Sequence, residues 1–232
     1  MKLTKLEVTA AVVKGGLGAI PVVGSLAAEV VGMLIPNRRL DRVEKLVEEL
    51  SAKLGERDPG ILRERFTGVE YVDLLEEGMV QAARAISEER ISEIASLLKN
   101  SLTDAELRHQ QDKRLLQILG ELNEAELVLL TSYTFNARHD AEWMKKHETV
   151  LRAPIAYIGA PQEDLDQNTL HEQFRQNLAR LGLLRPKVRS WKKGELPELD
   201  QNTGQPKVSH YELTPLGRLL LRRIDLLDDG EM

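Results

Sequence analysis

From residue 37 to about residue 135, apolar side chains recur at three- and four-residue intervals between charged ones. That spacing places them on one face of a helix. Leu40, Val43, Leu46, Val47, Leu50 and Leu54 form the first such stripe, within residues 37–57. The turn residues GERDPG at 55–60 interrupt it. A second stripe, Val69, Val72, Leu75, Met79, Ala82 and Ala83, predicts the inward positions of a helix over 69–85. Ser87 followed by Glu88 and Glu89 opens a third, whose inward positions are Ile91, Ile94, Leu97 and Leu98. Thr103 and Glu106 are spaced as a capping box, predicting a helix that Gly120 ends. Asn123 and Glu126 begin another, through Tyr133. Short joints between such helices predict a bundle.

The pattern changes after residue 135. His139 to Leu151 reads as a polar helix, and Pro154 to Pro161 as an apolar connector. A helix over about 166–181 follows, with Leu170, Phe174, Leu178 and Leu181 inward and Gly182 as its C-cap. LLRPKVRSW and KVSHYELT then read as the two strands of a hairpin on either side of a polar loop, 192–206. Thr214 as N-cap and Pro215 as first residue open a last helix, 216–227.

One stretch belongs to neither pattern. Residues 8–36 carry two charges, Lys14 and Glu29, in 29 positions, with five glycines and no aromatic ring. The segment is apolar without a polar face, so the protein's own core, a partner or a bilayer must cover it. It reads as a helical hairpin of two short helices, 4–14 and 22–34, with Gly15, Gly16, Gly18 and Pro21 at the bend. Each half is shorter than the roughly 20 apolar residues of a membrane span. Ile20, Val22, Val23, Leu26, Val30, Val31, Leu34 and Ile35 supply the surface that inserts or docks, and small residues such as Gly24 and Gly32 admit a close neighbour. Glu7 and the glycine-rich middle argue against a signal peptide.

Composition narrows the function classes. Helix-forming residues abound and only 4% are aromatic, which favours a mainly α fold. There is no cysteine, which excludes disulfides, thiol catalysis and thiolate metal sites and suits a reducing cytoplasm. The formal net charge of −5 argues against a general nucleic-acid coat. Residues 175–193 run against that average, with seven basic residues and no acid. Arg185, Lys187, Arg189, Lys192 and Lys193, with Trp191 among them, are candidate contacts for phosphate. Glu163, Asp164, Asp166 and Glu172 crowd the preceding helix, where a reading helix would meet the backbone of DNA.

The order helix, NLARLGLLRP, hairpin, YELTPLGRLLL, helix resembles a winged helix. Leu213 to Arg218 match the Leu-Thr-Pro-x-Gly-Arg turn with which many bacterial winged helices close. A broader pattern covers about residues 70–227: LLEEGMVQAARAISEERISEIASLL, LLQILGELNEAELVLLTSY, and FRQNLARLGLLRP with YELTPLGRLLLRRI. It is similar to bacterial Abi-alpha-type abortive-infection proteins. The resemblance implies a role in antiphage defence and carries over no catalytic residue.

His139, Asp140, Glu142, His147 and Glu148 cluster, but the two histidines are about 80° apart round a helix, and a solvated face accounts for them. No Gly-x-Ser-x-Gly occurs, and Gly15-Gly16-Leu17-Gly18 lacks the third glycine of a dinucleotide loop and the Gly-Lys-Ser/Thr of a P-loop. The sequence therefore predicts a mainly α, non-enzymatic protein with no cofactor, no metal and no evident small-molecule substrate. It divides into an apolar hairpin (1–36), a helical bundle (37–120) and a winged-helix-like domain with a small β-hairpin (121–232). The expected function is that of a cytoplasmic effector whose N-terminal hairpin acts on membrane lipid, with the inner membrane as its site, or on copies of itself in a homo-oligomer. The alternative is a nucleic-acid-binding regulator or adaptor with an N-terminal oligomerisation element.

Overall fold

The computed structural model describes residues 39–55, 68–103, 109–154, 157, 159–188, 199 and 207–228. The apolar hairpin expected over residues 4–34, and the Asp104–Glu106 part of the expected capping box, lie outside the described residues. What is described is mainly helical, with one small antiparallel sheet. It divides into two compact units. The first comprises the residues up to Glu121 together with Arg223–Asp225, and the second comprises Leu122–Arg222 with the residues from Leu226 onward.

The first unit is a helical bundle of α1 (Leu40–Leu54), α2 (Val69–Arg84), α3 (Glu88–Thr103) and α4 (His109–Glu121). Its core follows the stripes. Val43, Leu46, Val47, Leu50 and Leu54 of α1 face α3, where Ile91, Ile94, Leu97 and Leu98 are all buried. Burial of each such side chain stabilises the fold by roughly 1.5–3 kcal/mol. Ser87 caps α3 by accepting from the Arg90 backbone N–H at 3.2 Å. Thr103 is the last residue of α3.

Two expectations fail here for physical reasons. Val69 is 84% exposed, because it lies about 200° round α2 from the buried Tyr71. Tyr71 and Leu74 take the buried places, and the Tyr71 hydroxyl donates to the Leu98 carbonyl at 3.2 Å. Burial pushes that phenol well above its ordinary range. Gly120 does not end α4, which runs to Glu121. It leaves room for Gln81 instead: a Cβ there would lie 2.9 Å from the Gln81 amide, which donates to the Leu116 carbonyl at 3.0 Å.

Residues Arg223–Asp225 belong to this unit through polar ties. The Arg223 guanidinium pairs with the buried Asp112 carboxylate at 3.1 Å. Lys99 and Asn100 donate to the Asp225 carboxylate at 2.8 and 2.9 Å.

The second unit is built from α5 (Glu124–Thr131), the short turns α6 (Phe135–His139), α7 (Ala141–Lys146) and α8 (Glu148–Leu151), then α9 (Gln162–Arg180), β1 (Leu184–Val188), β2 (Val208–Leu213) and α10 (Pro215–Arg223). The capping box at α5 is present: Asn123 accepts from the Glu126 N–H at 2.8 Å, and Glu126 accepts from the Asn123 N–H at 2.9 Å. The other oxygen of Glu126 accepts from the Asn177 amide at 2.8 Å, so the cap also ties α5 to α9. The single polar helix expected over 139–151 is three pieces, because Asp140 stops α6 and its carboxylate caps α7. The helix expected from 166 starts earlier, at Gln162, and the last helix stops at Arg223 rather than at Leu227.

Helix α9 ends in a Schellman turn. Leu183 N–H donates to the Leu178 carbonyl and Gly182 N–H to that of Ala179, with Gly182 at φ +75°. That turn launches β1, which pairs antiparallel with β2: Leu184 lies opposite Leu213, Arg185 opposite Glu212, and Lys187 opposite His210. Pro186 is tolerated because a two-stranded sheet leaves each strand an unpaired edge. Thr214 then closes the structure. Its hydroxyl donates to the Gly182 carbonyl at 2.6 Å and accepts the Gly217 N–H at 3.0 Å, while its backbone N–H donates to the Leu183 carbonyl at 3.0 Å. Gly217 is required by proximity: a Cβ there would lie 2.5 Å from the Leu183 oxygen.

Gly217→Ala is therefore expected to destabilise the second unit by about 3 kcal/mol, since backbone cannot yield as a side-chain end can. The check is the denaturant midpoint of tryptophan fluorescence, as Trp143 and Trp191 both follow residue 121. An unchanged midpoint would contradict the close approach.

Candidate functional site

The second unit contains a cleft of about 940 Å³. Four parts of the chain converge on it. Tyr133 comes from the turn after α5 and Arg138 from α6, Glu172 and Arg175 from the middle of α9, Arg185 with residues 208–213 from the sheet, and Arg218 from the first turn of α10. The turn described above sets this geometry. It holds the start of β1 against the end of β2, and so brings Arg185 and Arg218 to one concave surface.

Four guanidinium groups line the cleft against two carboxylates. The carboxylates are engaged. Glu172 pairs with Arg175 at 3.1 Å. Burial, and then the neighbouring Glu172 charge, raise Tyr211 above the ordinary tyrosine value, so it stays a neutral donor. Glu212 meets Lys187 at 3.1 Å and His210 at 3.5 Å. The Lys187 hydrogen bond holds the Glu212 carboxyl below the usual range. Arg138 donates from Nε to the Ser132 carbonyl at 3.2 Å and lies over the Tyr133 ring, 5.5 Å from its centroid. Arg185 and Arg218 are exposed, and neither has a carboxylate partner among the described residues. Among the described lining residues guanidinium groups outnumber carboxylates four to two, although the chain as a whole carries a formal net charge of −5.

The sequence candidates fall unevenly on this site. Arg185 lines it, and Lys187 stands beside it on β1, committed to Glu212. Arg189, Trp191, Lys192 and Lys193 lie outside the described residues, as do Gly15, Gly16, Gly18, Ile20, Pro21, Val22, Val23, Leu26, Val30, Val31, Leu34 and Ile35. Sequence reasoning missed Arg138 and Arg218 as site residues, because they sit far apart in separate helices. The Leu-Thr-Pro-x-Gly-Arg turn was the available signal for Arg218.

Helix α9 carries the site on one flank and buries another. Leu170, expected inward, is 57% exposed, while His171 is buried. Leu178 and Leu181 are buried as expected and Phe174 is half-buried, but at the N-terminal end of the stripe His171, one 100° step beyond Leu170, takes the inward place. The outer face presents Glu163, Asp166, Gln173, Gln176 and Arg180 to solvent. His171 approaches the backbone of Val150 and Leu151 without closing a well-formed hydrogen bond. Burial, with Arg175 next in effect, pushes its imidazole below the ordinary value of 6.5.

Among the described residues, no group of three His, Asp or Glu is placed to hold a metal ion, and no helix is long and apolar enough to cross a membrane. No family model matches the chain, and comparisons with curated proteins and with solved structures find no match.

The His171 shift has a definite sign. The folded protein disfavours the imidazolium, so the unfolded chain binds the proton more readily. The contribution to stability is present above 6.5 and is lost as pH falls below that value toward the lower folded one. On going from about pH 8 to about pH 5, the thermal midpoint should fall more steeply for the native chain than for His171→Leu. Parallel slopes for the two would contradict this.

Proposed function

We propose that this chain is a non-enzymatic binding protein with two working parts, acting as an abortive-infection-type antiphage effector. The second unit is a winged-helix-like module: α9 is its central helix, β1 and β2 flank the wing, and the cleft receives an anionic partner. Residues 8–36 are the output segment, which docks on lipid or joins copies of the chain into a homo-oligomer. The observation that carries the receiving role is the convergence of Arg138, Arg175, Arg185 and Arg218 on one cleft whose carboxylates are already engaged. The role of residues 8–36 rests on their composition: apolar surface of that extent needs cover worth roughly 25 cal/mol per Å². Exposing it requires a trigger that favours the exposed state. The defence role rests on the resemblance of residues 70–227 to Abi-alpha-type proteins. A cytoplasmic protein recruited to the inner membrane suits both parts.

A second reading, a nucleic-acid-binding regulator, has one observation in its favour. The outer face of α9 is open to solvent and carries Gln173, Gln176 and Arg180, residue types that can meet bases or phosphates. Glu163 and Asp166 on that same face, and the commitment of Lys187 to Glu212, oppose it.

Liposome flotation separates the readings. The full chain is expected to float with anionic vesicles, and a form lacking residues 1–36 is expected to stay at the bottom of the gradient. Equal behaviour of the two would remove the membrane role. For the regulator, duplex DNA should bind with affinity that falls steeply as salt rises. It should be lost on Arg189→Glu.

A further inference from the structure

We propose that the arginine-lined cleft of the second unit binds a nucleotide through its phosphate, whether free or at the 5′ end of a strand. The inference rests on reading the cleft as the receiving site, and it names the ligand class. The guanidinium fork matches the oxygens of phosphate as well as those of a carboxylate. Arg185 and Arg218 offer such forks without a competing carboxylate among the described residues, and Arg138 keeps its terminal nitrogens beyond the Nε bond to Ser132. With Glu172 paired to Arg175 and Glu212 to Lys187 beside the cleft, Arg138, Arg185 and Arg218 leave an excess of positive charge among the described lining residues. A phosphate monoester, nearly dianionic at neutral pH, balances that excess.

Charge alone does not choose between inorganic phosphate and a larger ligand. Size and ring surface do. A cleft of about 940 Å³ lies in the upper range of small-molecule sites and exceeds what a bare phosphate fills. Tyr133 and Tyr211 line the same cleft and offer ring surface and a polar tip beside the guanidinium groups. Burial and the neighbouring Glu172 charge keep Tyr211 a neutral phenol. Arginine and tyrosine in one concave site are the groups that meet the phosphate and the base of a nucleotide.

The cleft differs from the basic run of residues 175–193. Arg138 and Arg218 lie outside that run, and Lys187 within it is turned to Glu212. The cleft is therefore expected to take one terminal phosphate with its nucleotide, and not the repeated backbone phosphates of a strand.

Isothermal titration of the full chain tests this with AMP, adenosine, inorganic phosphate, and a short oligodeoxynucleotide with and without a 5′-phosphate. AMP is expected to bind, adenosine not to bind, and phosphate to bind more weakly than AMP. Arg185→Gln and Arg218→Gln are each expected to weaken AMP about tenfold or more, as loss of a charge-assisted hydrogen bond requires. Lys145→Gln, on the exposed face of α7, should leave it unchanged. Circular dichroism of the variants verifies their fold, which both arginines, being exposed, should not disturb. If the phosphorylated oligonucleotide binds more tightly than AMP and the unphosphorylated one does not bind, the source is a strand end and the ligand class stands. If phosphate binds as tightly as AMP with the same arginine dependence, the cleft is an anion receiver and the nucleotide assignment is overturned. If none of the probes binds, or binding ignores both arginine substitutions, the assignment and the receiving role fall together.

Discussion

The C-terminal unit depends on a single residue's hydrogen-bonding capacity. Thr214 spends its hydroxyl proton on the Gly182 carbonyl, its oxygen lone pair on the Gly217 N–H, and its own N–H on Leu183. Three chain segments are joined there: the end of α9, the end of β2 and the start of α10. The junction is tight enough that only hydrogen fits at the Gly217 α-carbon, against the Leu183 oxygen. Through it the register of the hairpin, the direction of α10 and the positions of Arg185 and Arg218 are set together. A cleft framed by such a junction is preorganised, which lowers the cost of holding charged groups ready for a ligand.

Electrostatics in this unit are decided by pairing rather than by totals. A run of seven basic residues suggests a broad positive wing. Lys187 is answered by Glu212, and Arg175 by Glu172. Among the described residues, Arg138, Arg185 and Arg218, drawn from separate helices and one strand, line one concave surface without a carboxylate partner. The acids at the start of α9 are exposed on its outer face and do not line the cleft. Arginines therefore outnumber carboxylates along the described lining of the cleft, although the chain as a whole is acidic.

Local rules were readable residue by residue where they depend on neighbours in the chain. Asn123 with Glu126, Ser87 before α3, Gly182 after α9 and Thr214 before α10 all perform the capping roles their spacing implies. The buried stripes of α1 and α3 follow the same logic. The failures share one cause. Val69, Leu170 and Gly120 obey a pattern within their own helix, but their environment is set by what packs against that helix: Tyr71 takes the buried side of the first turn of α2, His171 is turned inward on α9, and Gln81 lies beside α4. Periodicity assigns a face to within one residue step, and one step is enough to expose a leucine.

The sequence alone determined that the chain is mainly helical, where most of its helices begin, and that a hairpin lies between the last two. Those properties follow from local hydrogen bonding and from the spacing of apolar residues, which are functions of neighbouring positions. It also marked residues 8–36 as apolar surface that something must cover. Only the tertiary structure decided that Glu126 serves α5 and α9 at once, that Lys187 is spent on Glu212, and that Arg138 and Arg218 share a cleft with Arg185. Such facts depend on distances between residues tens of positions apart, and no local spacing encodes them.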